Sequence, residues 1–209
     1  MRLIFIVLAT IICLASCDSK VSHEEEAQEN FSLAMDTMSF SAEDGQSFDS
    51  INVLRMTAAD SLFGVALNYD SVFIDAYYWR GVTRTKLNDY DGALSVLTTG
   101  IGYGELFGKD VKMLYMSRGV LQKKLGNDLE SASDFRKALE LYDSYLVSLD
   151  STDGRVVGAV SNMVLLYSYL EEPGNANKLL ENYQNDDPFY EDLKSQVDSI
   201  DLDIVVDRL

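Results

Sequence analysis

A recurring set of small and apolar residues constrains this chain more than any other feature of it. Ala59, Phe63 and Ala66 reappear 34 residues later as Ala93, Leu97 and Gly100. After a further 38 residues Ser131, Phe135 and Ala138 stand in the same places, and Gly119 follows Gly81 at the same interval, the surplus over 34 fitting the stretch Gly102 to Glu105. A last, weaker copy, Ala176, Leu180 and Tyr183 with Val164, lies 45 residues beyond, its extra length falling between Ser148 and Gly154. Spacings of three and four residues put each trio on one face of a helix, and small residues are needed where two helices approach closely. A repeat of this length in a helical pattern without period-two alternation means helical hairpins, each unable to bury its apolar face alone, so that neighbours stack to make the core.

The segment from Ala76 to Leu94 resembles a tetratricopeptide repeat, a helix, a tight turn and a second helix. Gly81 stands where the two helices meet, Asn88-Asp89-Tyr90 at the turn, and Ala93 where the second helix packs on the first, with Gly100 at the other small position. The interval of 34 residues is that family's period, and Pro188 falls where it often has a closing proline. The match is best over 59–141. The first repeat has no glycine in its opening helix, and Val164 replaces glycine in the last. The resemblance implies an all-α fold, a right-handed helical solenoid of about nine helices. Asp187 to Leu209, with Phe189, Leu193, Val197, Ile200 and Ile204, would be the capping C-terminal helix. Another helix is expected from Phe31 to before Asp44-Gly45.

At the start, Met1 and Arg2 precede an apolar stretch from Leu3 to Leu14 that is too short to cross a bilayer, so 1–16 reads as a signal peptide. Leu14-Ala15-Ser16-Cys17 resembles the bacterial lipobox, which implies that Cys17 carries diacylglycerol as the first residue of the mature chain. The alternative is an ordinary cleaved signal and a chance cysteine. Residues 17–28, with His23 and Glu24-Glu25-Glu26, read as the lipidated cysteine and a polar tether merging into a helix near Glu24, and 29–209 as the helical domain. The lipobox resemblance places the protein in the cell envelope, outside the cytoplasm, on the inner or the outer membrane. Cys13 leaves with the signal, so no disulfide is expected and stability rests on packing.

The chain has 34 acidic and 17 basic residues, a net charge of -17 that disfavours nucleic acid as a partner. Arg80 to Lys137 is the exception, with ten basic against seven acidic residues, a mildly basic island. The single histidine, His23, falls in the tether, so Ser-His-Asp, Cys-His and zinc-ligand sets have no members to draw on. No glycine loop for phosphate appears. Asp150 to Gly154, and Asp198 with Asp201, Asp203 and Asp207, lack EF-hand spacing and read as a loop and a solvated helix face. We therefore expect no enzyme activity, no catalytic residues, no metal and no cofactor.

In tetratricopeptide repeats the first helix of each hairpin lines a groove. The resemblance carries this role to Tyr78, Val82, Thr85 and Lys86, then to Met116, Val120, Lys123 and Lys124, and finally to Ser161, Leu165 and Tyr169. Tyr78 and Met116 equally suit packing against neighbouring helices. Tyr78, Val82 and Ser117 occupy the positions that grip a C-terminal carboxylate in some relatives, so that mode is not expected. In related repeats an acid on the second helix meets the arginine before the glycine, so the resemblance implies that Arg118 pairs with Asp134, whereas Arg80 has Val96 in the corresponding place. With Arg84, Arg80 either pairs with an acid of a neighbouring repeat or serves an anionic partner, and Trp79 is expected to pack. The expected function is a membrane-anchored scaffold that holds a protein or peptide partner. An immunity or inhibitor lipoprotein against a secreted toxin and an accessory of nutrient uptake are the alternatives.

Overall fold

A computed structural model describes residues 22–39, 48–150, 153–183, 193–195 and 197. The regular structure of these residues is helical, as the repeat pattern requires, with no strand among them. The helices are α1 (22–39), α2 (Phe48–Tyr69), α3 (Ile74–Lys86), α4 (Tyr90–Leu106), α5 (Lys112–Lys124), α6 (Asp128–Val147), α7 (Arg155–Tyr169) and α8 (Pro173–Asn182). The chain divides into two compact units, the first ending at Ala93 and the second starting at Leu94, within α4. Among the described residues no helix is long and apolar enough to cross a membrane.

In the first unit α1 lies along α2. The ring of Phe31 is 5.6 Å from that of Phe63 and 4.8 Å from that of Phe73, and Ala27, Ala34, Ala59, Phe63 and Ala66 are buried. The described part of α1 begins at 22, within the stretch 17–28, and His23 meets Tyr69 edge-on at 5.8 Å. Ala27, Phe31 and Ala34 form the apolar stripe of this helix, while Glu24 to Glu26 are exposed.

In the second unit α5 to α8 share one core. Phe135, Ala138, Tyr142, Val160, Met163, Val164, Leu166, Ala176 and Leu180 are almost wholly buried in it. These include the repeat positions singled out above. Gly119 lets α5 and α6 approach closely: a Cβ there would meet Phe135 at 2.6 Å. Val197 is buried in this core and Leu193 packs against it, the described part of the segment expected to cap the fold. The rest of that segment, the signal peptide, Cys17, Pro188 and the Asp198 to Asp207 cluster lie outside the described residues.

The same turn closes four of the helices. After α3, Asp89 N–H donates to the Arg84 carbonyl at 2.9 Å and Asn88 N–H to that of Thr85 at 3.0 Å, the paired bonds of a Schellman motif. Lys109 and Gly108 repeat this after α4, Asn127 and Gly126 after α5, and Glu172 and Glu171 after α7. The motif needs one left-handed residue, supplied by Asn88 (φ 59), Gly108 (φ 63), Gly126 (φ 77) and Glu171 (φ 57). Positions 88, 126 and 171 are 38 and 45 residues apart, the intervals of the sequence repeat. Backbone geometry and side-chain pattern therefore repeat together.

Candidate functional site

The second unit carries a cleft of about 450 Å³ between the first half of α4, the second half of α5 and the first turns of α6. Arg118 and Gln122 come from α5, Leu94 and Thr98 from α4, and Leu129, Glu130, Ser133 and Asp134 from α6. The placement follows from helix geometry. Residues 94 and 98, 118 and 122, 129 and 133, and 130 and 134 are each four apart within their helices, so each pair projects to one side.

Arg118 is the anchor of this site. Its Nε donates to Asp134 Oδ2 at 2.8 Å and its Nη2 to Oδ1 at 2.7 Å, while Nη1 reaches Thr98 Oγ1 at 3.2 Å. This is the ion pair expected from the sequence, in the two-pronged form that suits guanidinium and carboxylate. The bonds to Asp134 raise the Arg118 pKa above its already high value and outweigh burial, so the group stays charged. Behind it the guanidinium lies 5.4 Å from the Tyr115 ring centroid, and the Tyr115 hydroxyl donates to Glu105 Oε1 at 2.6 Å. Burial, then the bond to Glu105, push the Tyr115 hydroxyl up to about 12, keeping it a donor.

At the rim the balance of polar and apolar groups changes. Leu129 is 85% exposed, beside Glu130, which makes no ion pair among the described residues. Leu129 lies off the apolar period of α6, whose buried positions are Ser131, Asp134, Phe135, Ala138, Leu139, Tyr142 and Leu146. The sequence reading passed over it, although an off-period leucine in a polar first turn is a signal that could have found it.

The residues assigned to a groove have varied environments. Met116, Val120 and Tyr169 are brought together, but inside the core of α5 to α8, which corrects their assignment to a groove surface. They fill space against Phe135 and its neighbours: Tyr169 stacks on Phe135 at 4.9 Å, and burial raises its hydroxyl pKa. Leu165 is half-buried against the same core. In α3, Val82 is buried, Tyr78 packs edge-on against Trp79 at 5.1 Å, and the Thr85 hydroxyl donates to the Gly81 carbonyl. Lys86 and Lys124 are exposed, and Lys123 Nζ is bound by Asp128 Oδ1 at 2.9 Å.

The basic island is largely neutralised by its own neighbours. Asp60 takes Arg80 at 3.1 Å and Arg84 at 2.7 Å, which answers the open question about these arginines in favour of a neighbouring acid. Arg136 pairs with Glu172, Lys137 with Glu140, and Lys112 with Asp110. Lys112 also sits 3.9 Å over the Tyr145 ring. Burial would raise the Asp60 pKa, but the hydrogen bonds from Arg84 and Arg80 hold it below the usual carboxylate range. In the aspartate-rich loop, Asp153 is engaged by Arg155 through side chain and backbone, which lowers it to about 2. Among the described residues no group of acids, histidines or cysteines is arranged to hold a metal ion. Compared with known proteins, the chain matches no protein-family model and no curated protein.

Proposed function

We propose that this protein is a lipid-anchored scaffold of the cell envelope that holds a partner protein through the cleft at Arg118, its repeats being of tetratricopeptide type. The supporting observation is the cleft itself: an exposed leucine on its rim, hydroxyls of Thr98 and Ser133 along its sides, and a fixed guanidinium at its base. An apolar anchor ringed by hydrogen-bonding groups is how helical surfaces take hold of a peptide segment. None of these groups is arranged as nucleophile and base, so binding accounts for them better than catalysis.

The anchor is proposed to be a lipid on Cys17. From Cys17 to residue 22, the first described residue of α1, a chain can reach at most about 18 Å, which would keep the first helix close to the bilayer. A partner would then be an envelope protein or a segment presented near the membrane. The net charge of -17 also favours a second reading, an immunity or inhibitor lipoprotein that meets a basic toxin.

The test is retention of partners on the tagged, detergent-solubilised protein. A Leu129→Glu, Thr98→Ala variant, shown by circular dichroism to be folded, should lose a partner that wild type retains. A Lys86→Glu, Lys124→Glu variant should keep it. Loss from the second variant alone would move the site to the groove positions of α3 and α5.

A further inference from the structure

We infer that the segment held in this cleft is cationic and carries an aliphatic anchor: a basic, leucine-type peptide stretch of the partner and not an acidic one. The inference rests on the cleft being the binding site and adds the chemistry of its occupant.

The argument is one of charge at close range. Arg118 is the cleft's cation, and both oxygens of Asp134 compensate it at 2.7 and 2.8 Å. Glu105, one hydrogen bond away through Tyr115, adds a further negative charge behind the guanidinium. Of the acids lining the cleft, that leaves Glu130, exposed on the rim and without an ion pair among the described residues. The lining thus carries one positive and two negative groups, with the surplus on the open side. An incoming carboxylate would meet a guanidinium whose charge is already matched and would pass a free carboxylate on the way. An incoming guanidinium or ammonium finds Glu130 available and displaces no existing pair.

The apolar half of the specificity comes from Leu129 and Leu94. Leu129 is 85% exposed, so covering it against an aliphatic side chain releases water at no loss of packing elsewhere. The net charge of -17 acts in the same direction over longer range, raising the local concentration of cationic segments at low salt.

The experiment uses the full lipidated chain in detergent micelles and two peptides, Ac-Arg-Leu-Leu-Arg-NH2 and Ac-Glu-Leu-Leu-Glu-NH2, titrated by calorimetry. The basic peptide should bind roughly ten-fold more tightly, the effect of one charge-assisted contact. Glu130→Gln should abolish that preference, and Leu129→Ser should weaken the basic peptide. Both side chains are exposed, so neither substitution disturbs the fold. Equal or stronger binding of the acidic peptide, still weakened by Leu129→Ser, would overturn the inferred charge while leaving the cleft as the site. If neither peptide's binding responds to Leu129→Ser, the cleft is not the site and the inference falls with it.

Discussion

Arg80 and Arg118 stand at the same place in successive repeats, each just before the glycine of its helix, yet they are neutralised in different ways. In the second unit, Arg118 is held two-pronged by Asp134 of α6, the helix that follows α5 in the same hairpin. The residue 38 positions before Asp134 is Val96, which offers no charge, and Arg80, in the first unit, turns to Asp60 on α2, the helix before it, sharing that carboxylate with Arg84. One hairpin completes its own ion pair, whereas the other depends on its predecessor. A repeat fold can thus meet a local electrostatic need either within a hairpin or across to the preceding helix, and the second choice couples neighbours.

Five sets of substitutions probe that difference and its surroundings. The largest effect is expected from Asp134→Ala, which leaves the Arg118 guanidinium without its carboxylate and hydrogen-bonded to Thr98, in a site where the Asp134 side chain is 8% exposed. The loss should be about 3 kcal/mol in urea unfolding. Asp60→Asn should cost about 2 kcal/mol, since Asp60 and its arginines retain 17% and 24% exposure and water screens part of the loss. Because the Asp60 pKa is depressed in the fold, its contribution is present above the unfolded value of about 4 and fades as pH falls toward the folded value. The thermal midpoint of the Asp60→Asn variant should therefore fall less between about pH 5 and about pH 2 than that of wild type.

Glycine contacts differ between the units as well. Gly119→Ala should destabilise by about 2 kcal/mol, because the new methyl meets Phe135, itself pinned by stacking on Tyr169. Gly64→Ala in α2 should be neutral or mildly stabilising, since its nearest neighbour at 3.1 Å is the end of the Arg80 side chain and alanine is the better helix former. The Tyr169 hydroxyl is buried without a hydrogen-bond partner among the described residues, so Tyr169→Phe should stabilise by about 1 kcal/mol. Glu171→Gly, at the left-handed turn that Gly126 occupies in the previous hairpin, should add up to about 1 kcal/mol, read from the same unfolding curves.

The repeat register was legible because it is local: Ala59, Phe63, Ala93, Leu97, Ser131 and Phe135 all turn inward at helical spacing. The Arg118–Asp134 pair was legible through the resemblance to repeats in which an acid on the second helix meets this arginine. Asp60 was not, because its reach to two arginines depends on how α2 leans on α3, which spacing along the chain does not encode. The assignment of Met116, Val120 and Tyr169 to a groove failed on a similar point. A helix position that faces a partner in an open repeat becomes core when the next hairpin closes over it, and the sequence pattern of the two cases is alike. The cleft escaped notice because its diagnostic residue, Leu129, is an exception to the apolar period and not part of it.

The central claim, that partners are held at the cleft on α5 and α6, is tested most directly by placing a photocrosslinking benzoylphenylalanine at position 129 of the full chain in the cells that make it. Matched chains should carry it at 86 and 124. A discrete protein adduct from 129, absent from the other two and weakened by Glu130→Arg, is the result expected. Adducts from 86 or 124 with none from 129 would contradict it.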